Sequence, residues 1–223
     1  MVKRILIGLL TLMMATFFSG MATAAEPAPQ QAMVRVVHAS PDAPAADVYV
    51  DGKPAITGLV FKQATGYLSL SPGRHEVKIY PSSARGKGNP VIKQTLTVEA
   101  GMKYSAAAVG KLANLELLVT SNAKMGTEGK AKVRFIHASP DAPAVDIAVK
   151  GGDVLFVNVP FKGIANYQEV TPGKVDLEVR AAGTQDVVLT LPGIELQPNT
   201  VYSVYAAGLV KGKPELGALL IKE

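Results

Sequence analysis

His38-Ala39-Ser40-Pro41-Asp42-Ala43-Pro44-Ala45 returns unchanged as His137-Ala138-Ser139-Pro140-Asp141-Ala142-Pro143-Ala144. The two passages stay in step beyond that point, with Asp47-Val48-Tyr49-Val50 answered by Asp146-Ile147-Ala148-Val149. The interval from His38 to His137, 99 residues, is too long for a solenoid unit and suits a duplicated domain. Further matches continue the register: Phe61-Lys62 with Phe161-Lys162, Tyr67 with Tyr167, and Ser71-Pro72-Gly73 with Thr171-Pro172-Gly173.

Around the repeated passage the chain falls into short runs of β type. Val34-Arg35-Val36-Val37 precedes it, and Asp47 through Val50 ends at the turn dipeptide Asp51-Gly52. His75-Glu76-Val77-Lys78-Ile79-Tyr80 alternates with period two, as does Val175 through Val179. Seven such runs per copy, separated by turns, predict an all-β fold: two tandem antiparallel β-sandwich domains of immunoglobulin-like proportions. No stretch holds a capped helical period. Tyr49, Tyr67, Tyr80 and Tyr104 stand at strand spacing, which reads as core packing with hydroxyls at the rim, the alternative being a sugar-stacking face.

The chain begins with Met1-Val2-Lys3-Arg4, an apolar run from Ile5 to Phe18, and the small residues Ala22-Thr23-Ala24-Ala25. That order predicts a cleaved secretory signal peptide over residues 1–25, and a secreted or periplasmic mature protein without a transmembrane segment. Residues 26–31 read as a flexible leader, 32–120 as the first repeat, 121–130 as a linker and 131–223 as the second repeat. Cysteine is absent, so disulfides, thiolate metal sites and cysteine nucleophiles are excluded. The net charge of +5 carries no dense basic run and no base-stacking aromatics, which argues against nucleic acid. Arg74, Lys78, Arg85 and Lys87 form a basic group that reads as solvated charge, or as a patch facing an anionic envelope surface.

The repeated passage admits three chemistries, beside binding of carbohydrate or protein by loops at one end of a sandwich. As scaffolding, its prolines end the strand, Asp42 and Ser40 accept or donate to nearby backbone, and His38 packs its ring and bonds a loop carbonyl. As a metal site, His38, Asp42 and Asp47, with His137, Asp141 and Asp146, offer imidazole and carboxylate ligands. As a hydrolase, Ser40 or Ser139 would need His38 or His137 as base, yet no nucleophile elbow or oxyanion loop accompanies them. Retention in both halves favours scaffolding, because a catalytic site is rarely kept intact in both copies.

The doubled His-Ala-Ser-Pro-Asp-Ala-Pro-Ala followed by Asp-Val-Tyr-Val resembles the bacterial domain-of-unknown-function 4397 family, over Val34 to Val50 and Val133 to Val149 and more weakly through both repeats. The resemblance implies an extracytoplasmic β domain, often in tandem, and brings no catalytic residues with it. The expectation is a non-catalytic binding or structural protein of the cell envelope, without cofactor or metal, whose partner is an envelope protein or polysaccharide. The residues singled out for binding are His38, Ser40, Asp42, Asp47, His137, Ser139, Asp141 and Asp146. The alternatives are a metal-dependent binding module and, behind it, a hydrolase.

Overall fold

The computed structural model describes residues 30–123 and 125–223. The expected signal peptide, and the leader up to residue 29, lie outside the described residues. Among those described, no helix is long and apolar enough to cross a membrane.

The first copy holds β1 (Ala32–His38), β2 (Ala46–Val50), β3 (Lys53–Leu59), β4 (Leu68–Leu70), β5 (Gly73–Pro81), β6 (Ile92–Val98), β7 (Lys103–Val109) and β8 (Glu116–Ser121). The second repeats the order with β9 (Ala131–His137), β10 (Val145–Val149), β11 (Val154–Val159), β12 (Gln168–Val170), β13 (Gly173–Ala181), β14 (Val187–Leu196), β15 (Thr200–Ala207) and β16 (Gly217–Lys222). Sheets β4-β1-β7-β8 and β3-β2-β5-β6 form one sandwich, and β12-β9-β15-β16 and β11-β10-β13-β14 the other. All pairs are antiparallel except β1 with β7 and β9 with β15, which run parallel.

Each copy therefore has eight strands where seven runs are legible. The extra strand, β3 and its counterpart β11, is an edge strand. Lys53-Pro54-Ala55-Ile56-Thr57-Gly58 is mostly exposed and carries both Pro and Gly, so it shows no alternation of its own. It is recruited by pairing with β2, through a register shift between Ala46 and Val48.

Each sandwich encloses its own core. Val34, Val36, Val48, Val77, Ile79, Leu96, Ala106 and Leu117 fill the first, and Val133, Phe135, Ile147, Leu177, Val179, Tyr202 and Val204 fill the second. A third apolar layer lies between the copies. Val37, Ala39, Ala107 and Val109 point out of the first sandwich and meet Ile136, Ala138, Tyr205, Ala207 and Ile221 of the second. Sheets β4-β1-β7-β8 and β12-β9-β15-β16 are thus covered on both faces, and the molecule is a stack of four sheets. The two sandwiches are not beads on a link. They share a face, and the expected linker starts inside it: Ser121 ends β8, and Asn122 is buried.

Candidate functional site

The repeated passage forms the corner where each chain leaves its first strand. At its start, the buried His38 ring lies edge-on to Phe61, centroids 6.4 Å apart, and His137 sits likewise 6.2 Å from Phe161. His38 Nε2–H donates to the Pro44 carbonyl at 3.1 Å, and His137 Nε2–H to the Pro143 carbonyl at 2.9 Å. A carbonyl can only accept, so both rings carry the proton on Nε2. Nδ1 of His137 then accepts from the Ser139 N–H at 3.3 Å, while Nδ1 of His38 has no partner. Burial holds the His137 imidazole below the usual histidine range, against the bond to Pro143, and keeps it neutral.

The aspartates tie the corner to distant loops. Asp42 accepts the Leu112 N–H at 2.7 Å, 70 residues away. Asp141 accepts the N–H groups of Val210 and Lys211 at 2.9 and 3.0 Å. Burial alone would raise Asp141, but these two donors and the Ser139 hydroxyl outweigh it and bring the carboxyl below its ordinary value. Ser40 and Ser139 are buried; the Ser40 hydroxyl donates to Asp42 at 3.4 Å, and the single Ser139 hydroxyl proton is shared between the Gly208 carbonyl at 2.7 Å and Asp141 at 3.3 Å. Gly110 and Gly208 start the loops that the aspartates hold. Both have positive φ, and a Cβ would strike the carbonyl oxygens of Asn114 and Glu215.

Asp47 and Asp146 act on the edge strand. Asp47 accepts the Gly58 N–H at 2.9 Å and the Ser82 hydroxyl at 2.5 Å. Asp146 accepts the N–H groups of Asn158 and Gly183 at 2.6 and 2.9 Å. Gly58 and Asn158 both have positive φ at the irregular point of β3 and β11, so each aspartate pins a bulge.

The eight residues singled out in the sequence are thus spread over two functions within the fold, closing a corner and fixing a bulge. Each aspartate carboxylate is engaged by backbone N–H donors. Among the described residues no three of His, Asp and Glu gather as a metal would need. Ser40 faces Asp42 rather than His38, and the space beneath the first corner is about 10 Å³, enough for one water at most.

A second polar group, absent from the residues picked out above, lies in the layer between the copies. Arg134 on β9 donates from Nε to Ser203 Oγ at 2.7 Å, from Nη1 to the Ser121 carbonyl at 2.8 Å, and from Nη2 to Asn122 Oδ1 at 2.5 Å. Its counterpart Arg35 on β1 donates to the Lys222 carbonyl at 3.2 Å. The Glu223 carboxylate lies between them, 3.7 Å from Arg35 and 3.6 Å from Arg134. It also accepts from Tyr67 Oη at 2.7 Å, Asn122 Nδ2 at 2.8 Å and Ser203 Oγ at 2.6 Å. Tyr67 stacks under the Arg35 guanidinium, 4.0 Å from ring centroid to Cζ, and Tyr167 under Arg134 at 4.8 Å. Burial, then the bond to Glu223, pushes the Tyr67 hydroxyl up to about 12.

Each arginine reaches across to the last strand of the other copy. Lys162 of the second copy meets Glu116 of the first at 2.7 Å, and Lys62 of the first reaches the Glu215 carbonyl of the second at 3.4 Å. The contact is isologous, with equivalent residues exchanging roles about a pseudo-twofold axis. The sequence did carry a signal for it. Ser105 through Val109 is small or apolar at every position, as in a strand buried on both faces.

The chain is similar to several solved structures at low TM-scores. The C-terminal domain of AlgF from P. aeruginosa matches at 22% identity, covering 43% of this chain and 100% of that one, with a TM-score of 0.33. The Bacillus anthracis TIE protein matches at 13% identity, covering 80% of this chain and 34% of that one, with a TM-score of 0.25. CBMbc (family CBM26) from Eubacterium rectale Amy13K matches at 9% identity, covering 87% and 97%, with a TM-score of 0.27. No curated protein matches. One family matches twice, over residues 32–148 and 131–223, the first match running through the second corner: the chain belongs to the family described as a domain of unknown function (DUF4397).

Proposed function

We propose that this protein is a non-catalytic structural and binding module of the cell envelope, working outside the cytoplasm as a rigid two-domain unit that presents its exposed loops and sheet faces to an envelope protein or polysaccharide. The observation that carries this reading is how the repeated motif spends its polar atoms. In both copies the imidazole Nε2–H is committed to a backbone carbonyl, and every aspartate spends at least one carboxylate oxygen on a backbone N–H. A nucleophile or metal ligand must instead offer a free atom to an open space. The basic Met1-Val2-Lys3-Arg4 and the apolar run after it support an extracytoplasmic location.

The test compares wild type with His38→Ala and His137→Ala. The reading expects lower melting temperatures in both variants, no turnover of a generic ester by any form, and no heat on titration with calcium or zinc. Ester turnover lost in Ser40→Ala or Ser139→Ala, or metal binding lost with the histidines, would overturn it. Fractionation of cells expressing the full chain checks the location, with the protein expected in the periplasm or medium.

A further inference from the structure

The two copies differ at one end of the sandwich, where β5 and β13 begin. In the first copy His75 points inward there, on the same face as Val77 and Ile79, and is buried. Its Nε2–H donates to the Ser71 carbonyl at 2.7 Å and its Nδ1 bonds the Asp51 carboxylate at 2.6 Å. The Ser71 carbonyl, then Asp51, raise its pKa and favour the imidazolium. The space between the two sheets of that copy is only about 20 Å³.

In the second copy the matching residue is Val175, two atoms shorter in reach and without a polar group. The same region is open: a cleft of about 420 Å³ runs between the sheets, walled by Val133, Val149, Leu155, Val170, Leu177 and Leu196. That volume is in the range of small-molecule sites. Thr171, the counterpart of Ser71, lines it. A carboxylate is again supplied by the turn between the second and third strands, here by Asp153 in place of Asp51. Among the described residues Asp153 forms no ion pair. Glu169 adds a second carboxylate at the mouth, shared with Thr127 and, at 3.9 Å, with Lys132. Lys174 lines the mouth as well, from the exposed side of β13.

We infer that this cleft in the second sandwich binds a compact planar cation on an apolar body, of the amidinium or imidazolium class, in the place that His75 fills in the first. The first copy carries the occupant as part of its own chain. The second keeps the apolar walls and the acidic turn and lacks the ring. The apolar body replaces the contacts Val175 cannot make, and the planar N–H donors face Asp153 as the His75 ring faces Asp51. The site stands on this cleft alone and does not depend on where the protein resides.

The test titrates the full chain with benzamidine, with toluene and benzoate as the neutral and anionic counterparts, following amide shifts by NMR. Saturable one-site binding of benzamidine is expected, with shifts at Val149, Asp153 and Val175, and weaker binding of toluene and benzoate. Val175→His should abolish it by supplying the missing ring. Asp153→Asn, an exposed change that leaves the fold intact, should weaken it roughly tenfold. No saturable binding to the folded wild type, benzoate binding as well as benzamidine, or affinity unchanged in Asp153→Asn would each overturn the assignment.

Discussion

Asn122 and Glu223 occupy the same place in the two copies and hydrogen-bond to each other, amide Nδ2 to carboxylate Oε2 at 2.8 Å. Each follows the last strand of its copy by one residue. Each backbone N–H bonds the equivalent carbonyl, Asn122 to Lys103 at 2.8 Å and Glu223 to Val201 at 2.9 Å. A duplicated position has become an amide in one copy and an acid in the other. Two carboxylates this close would repel, and two amides would leave Arg35 and Arg134 buried without a countercharge.

Glu223→Gln keeps the shape and removes that countercharge. With its side chain 1% exposed, the loss should follow the pattern of a broken buried ion pair, about 3–5 kcal/mol in urea denaturation. Asn122→Ala should cost less, about 1–3 kcal/mol, because it removes hydrogen bonds to Arg134 and Glu223 but leaves their charges paired. Equal stability of Glu223→Gln and wild type would contradict the role given to the carboxylate.

His75 and His137 should titrate on opposite sides of the ordinary histidine value. His75 is raised above 6.5 by the Ser71 carbonyl and then by Asp51, while Asp51 is lowered below 3.8 by His75. Their pairing therefore stabilises the fold fully between about pH 3.8 and 6.5. It fades as pH rises through the raised His75 value or falls through the lowered Asp51 value. His137 is lowered by burial, so the unfolded chain takes up its proton first, and stability falls as pH drops below 6.5. Imidazole NMR titration checks both, and a His137 titrating above 6.5 would contradict its buried, neutral state.

The corner aspartates should matter unequally. Asp141 holds two backbone donors and Asp42 one. Each change to Ala should cost about 0.5–2 kcal/mol, as loss of a cap does, with Asp141→Ala the more costly. Thermal melts of the two variants decide it, and a larger loss at Asp42 would reverse the ranking.

Much of this fold was legible in the chain because strands with one wet face announce themselves. His75 through Tyr80 alternates since alternate residues meet the core and the solvent. β3 was not legible, because an exposed edge strand has no apolar face and takes its conformation from β2. The corner was legible as a rigid element from Pro41 and Pro44. Its long-range partners, Leu112 for Asp42 and Val210 for Asp141, were not, because nothing local in the sequence marks which backbone N–H a carboxylate will reach. The face shared by the copies showed only in the small and apolar run from Ser105 to Val109, and its polar group lay hidden for a similar reason. Arg35 and Arg134 look like ordinary outward charges on a strand, and only the other copy, carrying Glu223 and Asn122, makes them interior residues.

The central claim is that the two copies form one stack of four sheets, closed through Val37, Ile136, Tyr205 and the Arg35–Glu223–Arg134 group. Residual dipolar couplings of backbone amides, measured on the full chain, test it most directly. The account predicts that a single alignment tensor fits β1 to β8 and β9 to β16 together. Two tensors of different magnitude, as independently tumbling sandwiches give, would contradict it.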